Sequence, residues 1–189
     1  MQTNLRFSCF TSINKILVSC LILCFVIATA ICGANETAYP DTPEKVVTEF
    51  LHEDYMGSGL SSTTWNNLQR YTTWEDAPGW DRLEIVSGYS IKEISINSES
   101  AIVKVDYNVI GTLESGEKLS VFKKAEKVET ATFIVNKEEG SWKISEPQNP
   151  PHISPAKAME ILKLEIKSNF NSEDKRHHNK IIRYLEKYR

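Results

Sequence analysis

Residues 42–189 predict an α+β fold: helices first, then an antiparallel meander of four or more strands, then two C-terminal helices. Three observations carry that prediction. Val46, Val47, Phe50 and Leu51 recur at helical spacing. From Arg82 to Ile144 the apolar period drops to two, as in Val103, Val105, Tyr107 and Val109 alternating with Lys104, Asp106 and Asn108. Beyond Ser154 the helical period returns, with Met159, Leu162, Ile166 and Phe170 three or four residues apart.

The chain opens on a leader whose only charges are Arg6 and Lys15, followed by an uncharged run over residues 16–34, ILVSCLILCFVIATAICGA. A basic start, an apolar stretch and small residues at Ala28-Thr29-Ala30 and Cys32-Gly33-Ala34 fit an export signal over residues 1–34, leaving a periplasmic or secreted mature chain. The alternative keeps the run as an N-terminal membrane anchor, because it approaches the roughly 20 residues needed to cross a bilayer. Leu17-Val18-Ser19-Cys20 looks like a lipobox but stands too early, with most of the apolar run behind it. The later Cys32 follows a bulky Ile31. All four cysteines, Cys9, Cys20, Cys24 and Cys32, lie in the leader. A chain cleaved after Ala34 therefore has no thiol, which excludes cysteine nucleophiles and cysteine metal sites and leaves its stability to a hydrophobic core.

Charge divides the rest. Residues 35–189 carry 20 basic and 25 acidic side chains; of these, residues 154–189 hold nine basic and five acidic. The body, residues 35–153, is thus at −9 and the C-terminal segment at +4. An acidic body argues against nucleic acid as a partner. The basic end, with Lys175, Arg176, Lys180, Arg183, Lys187 and Arg189, offers either a solvated face or a contact for anionic lipid or an acidic protein.

Residues 35–41 read as a linker, carrying a glycosylation sequon at Asn35-Glu36-Thr37. The domain proper spans residues 42–153. Thr42 is placed to cap its first helix, Pro43 suits the first helical position and Glu44 complements the dipole. Gly57 is placed to end it. Ser61 or Ser62 is expected to cap a shorter second helix, with Trp65, Leu68 and Tyr71 or Thr72 buried. In the first strand Tyr89 and Ile91 differ in parity from Ile94 and Ile96, which calls for a bulge near Lys92-Glu93. NSES and ESGE read as turns, and ATFIVNKEEGSWKI as a hairpin with Trp142 and Ile144 on one face. Residues 154–189 form a C-terminal helical appendage: Ser154 caps its first helix, Pro155 starts it, and after NFNS a last helix places Ile181, Leu185 and Tyr188 inward. It needs a surface to lie on, whether the convex sheet, a second subunit in a homodimer, or a partner.

TPEKVVTEFLHEDYM, GYSIKEISINSESAIVKVDYNVIG and ATFIVNKEEGSWKISEP, in that order, resemble the nuclear transport factor 2-like superfamily of polyketide-cyclase-like and ketosteroid-isomerase-like proteins. The likeness covers residues 42–147 and is strongest at EEGSWKI. It implies N-terminal helices packed in a strongly bent antiparallel sheet, a cone with an apolar cavity at its open end. Such cones host enzymes, binding modules and inert scaffolds, so the fold alone assigns no activity.

Candidate site residues follow from that geometry. On a helix Asp54 shares the apolar sector of Val46, Val47, Phe50 and Leu51, where burial would raise its pKa and suit it to general acid or base work. Against this, a helix fraying before Gly57 leaves Asp54 to cap a turn or meet solvent. Tyr55 borders the same sector, and Tyr107 is the polar-tipped residue on the apolar face of its strand. Either hydroxyl can steady an oxyanion, or simply reach a carbonyl while the ring fills space. WEDAPGW, residues 74–80, sits between the second helix and the first strand. Trp74 and Trp80 either rim a binding site or plug the cone. His52 falls opposite the helical apolar stripe, His152 lies in a Pro-rich connection, and His177 and His178 diverge by 100° on a helix, so no histidine marks a metal site. No Glu-x-x-His, phosphate loop or Gly-x-Ser-x-Gly occurs. The expected role is non-catalytic binding of a small apolar molecule or a protein partner, with no cofactor and no metal. The alternatives are a cofactor-independent isomerase, dehydratase or cyclase using Asp54 and a pocket tyrosine, and an assembly module docking through its C-terminal helices. Membrane contact is expected only through residues 16–34 if they are retained.

Overall fold

The computed structural model describes residues 39–76, 79–115, 121–168 and 171–189. The leader with its cleavage site, the sequon, part of the ESGE turn and Phe170 lie outside these. Residues Pro40–Arg189 form one compact unit.

Helix α1 spans Pro43–Met56, with Pro43 at its start and the Thr42 side chain accepting from the Lys45 N–H. Gly57, at φ 85°, closes it by donating to the carbonyls of Asp54 and Glu53, a left-handed position that glycine adopts without a Cβ penalty. A 3-10 turn over Ser58–Leu60 leads to α2, Trp65–Gln69. The cap expected at Ser61 or Ser62 is not there: Thr64 precedes the helix without a side-chain cap, and the Ser61 carbonyl accepts from both Thr64 and Trp65 N–H groups. The Ser61 hydroxyl meets the hydroxyls of Thr63 and Thr64 instead. Side-chain competition among neighbouring hydroxyls has moved the start of the helix.

Strands β1 (Arg82–Ile96), β2 (Ser100–Glu114), β3 (Val121–Glu138) and β4 (Ser141–Glu146) form an antiparallel meander. The odd positions Val103, Val105, Tyr107 and Val109 of β2 are all buried. A register shift falls between Ile91 and Glu93, where the change of parity requires one, and others fall at Ile85/Val86, Val86/Tyr89 and Val109/Gly111. Bulges increase local twist, and the sheet is strongly curled into a half-barrel. Glu139 at φ 48° and Gly140 at φ 85° make the two-residue β3–β4 turn, both residues left-handed as such hairpins need.

The sheet is not purely antiparallel. His152–Ile153, inside the Pro-rich connection, forms a fifth strand, β5, parallel to β1 with Glu84 opposite His152 and Ile85 opposite Ile153, giving the order β4-β3-β2-β1-β5. Two residues between prolines carry no readable period, so this strand is defined by its tertiary partners alone.

Helices α3 (Pro155–Lys167) and α4 (Ser172–Leu185) follow, capped by the Ser154 and Asn171 side chains. Their apolar residues Ala158, Met159, Leu162, Ile181, Ile182 and Leu185 cluster with Ile85, Ile110, Leu113 and Ile153 of the sheet. The surface that these helices require is therefore present in their own chain.

Gly111 stands beside the β2 bulge, where an added Cβ would lie 2.3 Å from the Phe122 ring and 2.9 Å from the Lys123 carbonyl. A Cβ on Gly88 in β1 meets nothing within 4 Å. Thermal denaturation should show Gly111→Ala destabilised by about 1–3 kcal/mol through overpacking. Gly88→Ala should be unchanged or slightly more stable, since glycine inside a strand is entropically unfavourable. Equal midpoints for the two variants would contradict the packing at Gly111.

Candidate functional site

The site is assembled where α1 ends. Because α1 persists to Met56, Asp54 stays on its apolar side and is buried, 5 % exposed. Its Oδ2 accepts the backbone N–H of His152 at 2.9 Å, and the imidazole Nδ1 of His152 lies 3.7 Å from the same oxygen. Placing His152 in β5 sets its ring face to face with Tyr107 of β2, centroids 3.9 Å apart and planes 14° from parallel. Three polar side chains from a helix end, a central strand and a two-residue strand thus share one buried space. No motif links them, since Asp54 and His152 are 98 residues apart in sequence.

Aromatic rings fill most of the space around them. Phe50 meets Trp74 edge-on at 5.9 Å and Phe133 at 5.9 Å, while Trp74 stacks on Trp65 at 6.3 Å. The Trp74 indole donates to the Ser145 carbonyl at 3.1 Å, fixing it as interior packing. A recess of about 20 Å³ remains, lined by Asp54, Tyr107, His152 and these rings. That volume suits one water molecule, far below the roughly 300–1,000 Å³ of small-molecule pockets. Two polar atoms there lack a hydrogen-bond partner among the described residues: the Tyr107 hydroxyl and the Trp65 indole nitrogen. Desolvation first, then the nearby Asp54 and Tyr89, raise the Tyr107 pKa well above the ordinary value.

The sequence candidates separate. Asp54 and Tyr107, for which the sequence leaves both an inward polar role and a bland one open, lie in one buried space, joined by His152 from the Pro-rich connection. Tyr55 does not join them: half-buried, it stacks edge-on with Tyr89 at 5.8 Å and borders a different recess with Tyr188. Trp74 is the plug. Trp80 is half-buried and stands between the small recess and a groove of about 560 Å³. That groove runs past Leu60, Leu83, Leu113 and Ile161, with Arg82 and Lys157 at its wall. A second, polar groove of about 440 Å³ reaches the other side of Tyr107 and His152, past Arg82, Glu84 and Glu129.

Of the histidines, His178 is fully buried, its ring nitrogens 3.1 Å from the Asp174 carbonyl and 2.6 Å from Glu165 Oε2. It joins α3 to α4 and is remote in role from the Asp54 space. Among the described residues no group of three or more His, Cys, Asp or Glu side chains is arranged to hold a metal, and no helix is long and apolar enough to cross a membrane. No family model matches the chain, and neither the curated proteins nor the solved structures contain a significant match.

Two stability measurements check this geometry. Asp54→Ala strands the buried His152 N–H and should cost about 1–3 kcal/mol, whereas Asp54→Asn retains an acceptor and should recover most of that. A raised tyrosine pKa means the unfolded chain loses its proton first, so this contribution is complete below pH 10.0 and is lost as pH climbs above it. Tyr107→Phe removes a hydroxyl without a protein partner. In urea titrations it should be neutral or stabilising by about 1 kcal/mol at neutral pH, and its stability should fall less steeply than wild type above about pH 10. A Tyr107→Phe loss of several kcal/mol would mean that the hydroxyl is bonded.

Proposed function

We propose that the domain is a non-catalytic binding module for a small apolar molecule, held in the groove beside Trp80. The observation that carries this reading is the division of space. The recess around Asp54 is packed by the domain's own rings, while the groove next to it has ligand dimensions, about 560 Å³, with aliphatic patches at Leu60, Leu83, Leu113 and Ile161 between the charged Asp81, Arg82, Glu114 and Lys157. Trp80 belongs to both, so it supplies the flat aromatic wall on which an apolar ligand rests. Within this proposal the curled sheet and the helices that pack on it are a cone of the nuclear transport factor 2-like kind whose interior is closed, with binding moved to its rim. Such a domain acts after export, in the periplasm or outside the cell.

One observation favours a second reading, a cofactor-independent proton-transfer enzyme. Asp54, His152 and Tyr107 converge, and the Tyr107 hydroxyl keeps its donor uncommitted. In that reading a substrate approaches from the polar groove of about 440 Å³ that Tyr107 and His152 line, and turnover that survives Asp54→Asn would remove the carboxylate from the chemistry.

The binding reading is tested by titrating residues 35–189 with the neutral fluorophore N-phenyl-1-naphthylamine. Saturable one-to-one binding with quenching of tryptophan emission is expected, and Trp80→Ala should weaken it roughly tenfold, equivalent to about 1.4 kcal/mol. Lack of saturable binding, or an affinity indifferent to Trp80, would end the proposal.

A further inference from the structure

Helix α4 turns two unlike faces in opposite directions. His178, Ile181, Ile182 and Leu185 are buried against the sheet and α3. Arg176, Lys180 and Arg183 occupy positions i, i+4 and i+7 of α4, Lys187 follows in the 3-10 turn Glu186–Tyr188, and all four are exposed. At 3.6 residues per turn the three helical members fall within a sector of roughly 60°, opposite the buried side, along roughly 10 Å of the helix. None of the four forms an ion pair among the described residues, though Lys187 stands over the Tyr184 ring at 6.0 Å, whereas five lysines of the strands, Lys92, Lys104, Lys123, Lys124 and Lys127, each have a carboxylate.

Helix stability does not account for this row. Like charges at i,i+4 are mildly destabilising, and successive members of the row stand three or four residues apart. The dipole rewards cations only near the C-terminal end, which covers Arg183 and Lys187 but not Arg176 and Lys180. The helix end is also tied to the sheet: the Tyr184 hydroxyl lies 3.3 Å from the Ile110 carbonyl and 3.1 Å from Glu126, within reach to donate to either, and the Tyr188 hydroxyl donates to Glu126 at 2.8 Å. These bonds and Lys124 hold the Glu126 carboxyl down at about 2.

We propose that the outward face of α4, with the 3-10 turn that follows it, docks the domain on an anionic lipid surface through Arg176, Lys180, Arg183 and Lys187. Retained as an anchor, the uncharged run 16–34 would hold the chain at a bilayer. Only residues 35–42 separate it from α1, about 30 Å at full stretch. Charge complementarity then sets orientation. An anionic surface attracts the +4 C-terminal segment and repels the −9 body, so the domain settles with α4 toward the lipid. The row carries no apolar wedge of its own, which makes the contact peripheral, reversible and sensitive to salt.

The test is co-sedimentation of residues 35–189, which include the whole compact unit Pro40–Arg189, with phosphatidylcholine vesicles with and without about 30 % phosphatidylglycerol. Binding is expected only to the anionic vesicles and should be lost at high salt. Arg176→Gln with Lys180→Gln should weaken it about twenty-fivefold, or about fivefold per charge. These exchanges leave the core untouched, so an unchanged melting curve separates lost binding from lost fold. Lys45→Gln, on an exposed turn of α1, should leave binding intact and so distinguishes the row from net charge. Equal binding to both kinds of vesicle, no binding to either, or binding to soluble heparin alone would each overturn the proposal, the last by assigning the row to a linear polyanion.

Discussion

The structure depends on satisfying the backbone of one short segment, Pro150–Ser154, which is wedged between the end of α1 and the edge of β1. The two prolines at its start have no N–H to offer, and each remaining buried group needs a partner. The Pro151 carbonyl accepts the Glu84 N–H on the sheet side. On the helix side, the His152 N–H goes to the Asp54 carboxylate and the Ser154 N–H to the Tyr55 carbonyl. The strand period of two sends the His152 and Ser154 donors to the same, helix side while the Pro151 carbonyl faces β1, so a two-residue strand fastens the helix end to the sheet. The carboxylate sits at a helix C-terminus, where the dipole disfavours it, and it is the side chain that meets the demand of His152. Losing it exposes a buried donor, which is why the alanine and asparagine exchanges at this position are not equivalent.

That structural duty bears on function. A general base needs a carboxylate free to accept a substrate proton, and here one oxygen already accepts a backbone N–H at 2.9 Å while the surrounding space is occupied by Phe50, Trp65, Trp74 and Phe133. Interiors packed with interlocking rings resist opening, because each ring displaced forfeits many contacts at once. Binding beside Trp80 requires no such displacement, and on that difference the rim is preferred to the interior.

Much of the frame was legible in the sequence because it rests on local rules. Thr42 and Pro43, Gly57, the alternation through Val103–Val109, the parity change near Lys92-Glu93, the Glu139-Gly140 turn and the Ser154 cap each announce themselves within a few residues. The site was only half legible. Asp54 and Tyr107 were read from periodicity, but His152 was not, since its strand has two residues, its pairing is parallel, and its partners lie far away in sequence. Periodicity also could not divide the work of Trp74 and Trp80. Only the hydrogen bond from Trp74 to Ser145, 71 residues on, makes one of them core. Tyr55 followed the helical sector on paper, yet its ring turned toward Tyr89 and left the recess.

The two donors left without protein partners are the remaining physical puzzle, and they are not equivalent. A tryptophan interior to a stack gains so much from its area that its lone N–H is tolerated; phenylalanine at position 65 would forfeit ring contact with Trp74. Position 107 is different. Phenylalanine there would keep the stack on His152 and remove an unsatisfied hydroxyl, so packing alone favours the residue that is not present. The hydroxyl borders the recess of about 20 Å³ that Asp54 and His152 also line, so its polar tip faces a polar corner of the interior without a bond to any protein group among the described residues. That hydroxyl is therefore the group of the Asp54, His152 and Tyr107 corner that no hydrogen bond within the described residues occupies, whereas the Asp54 carboxylate already serves the His152 N–H.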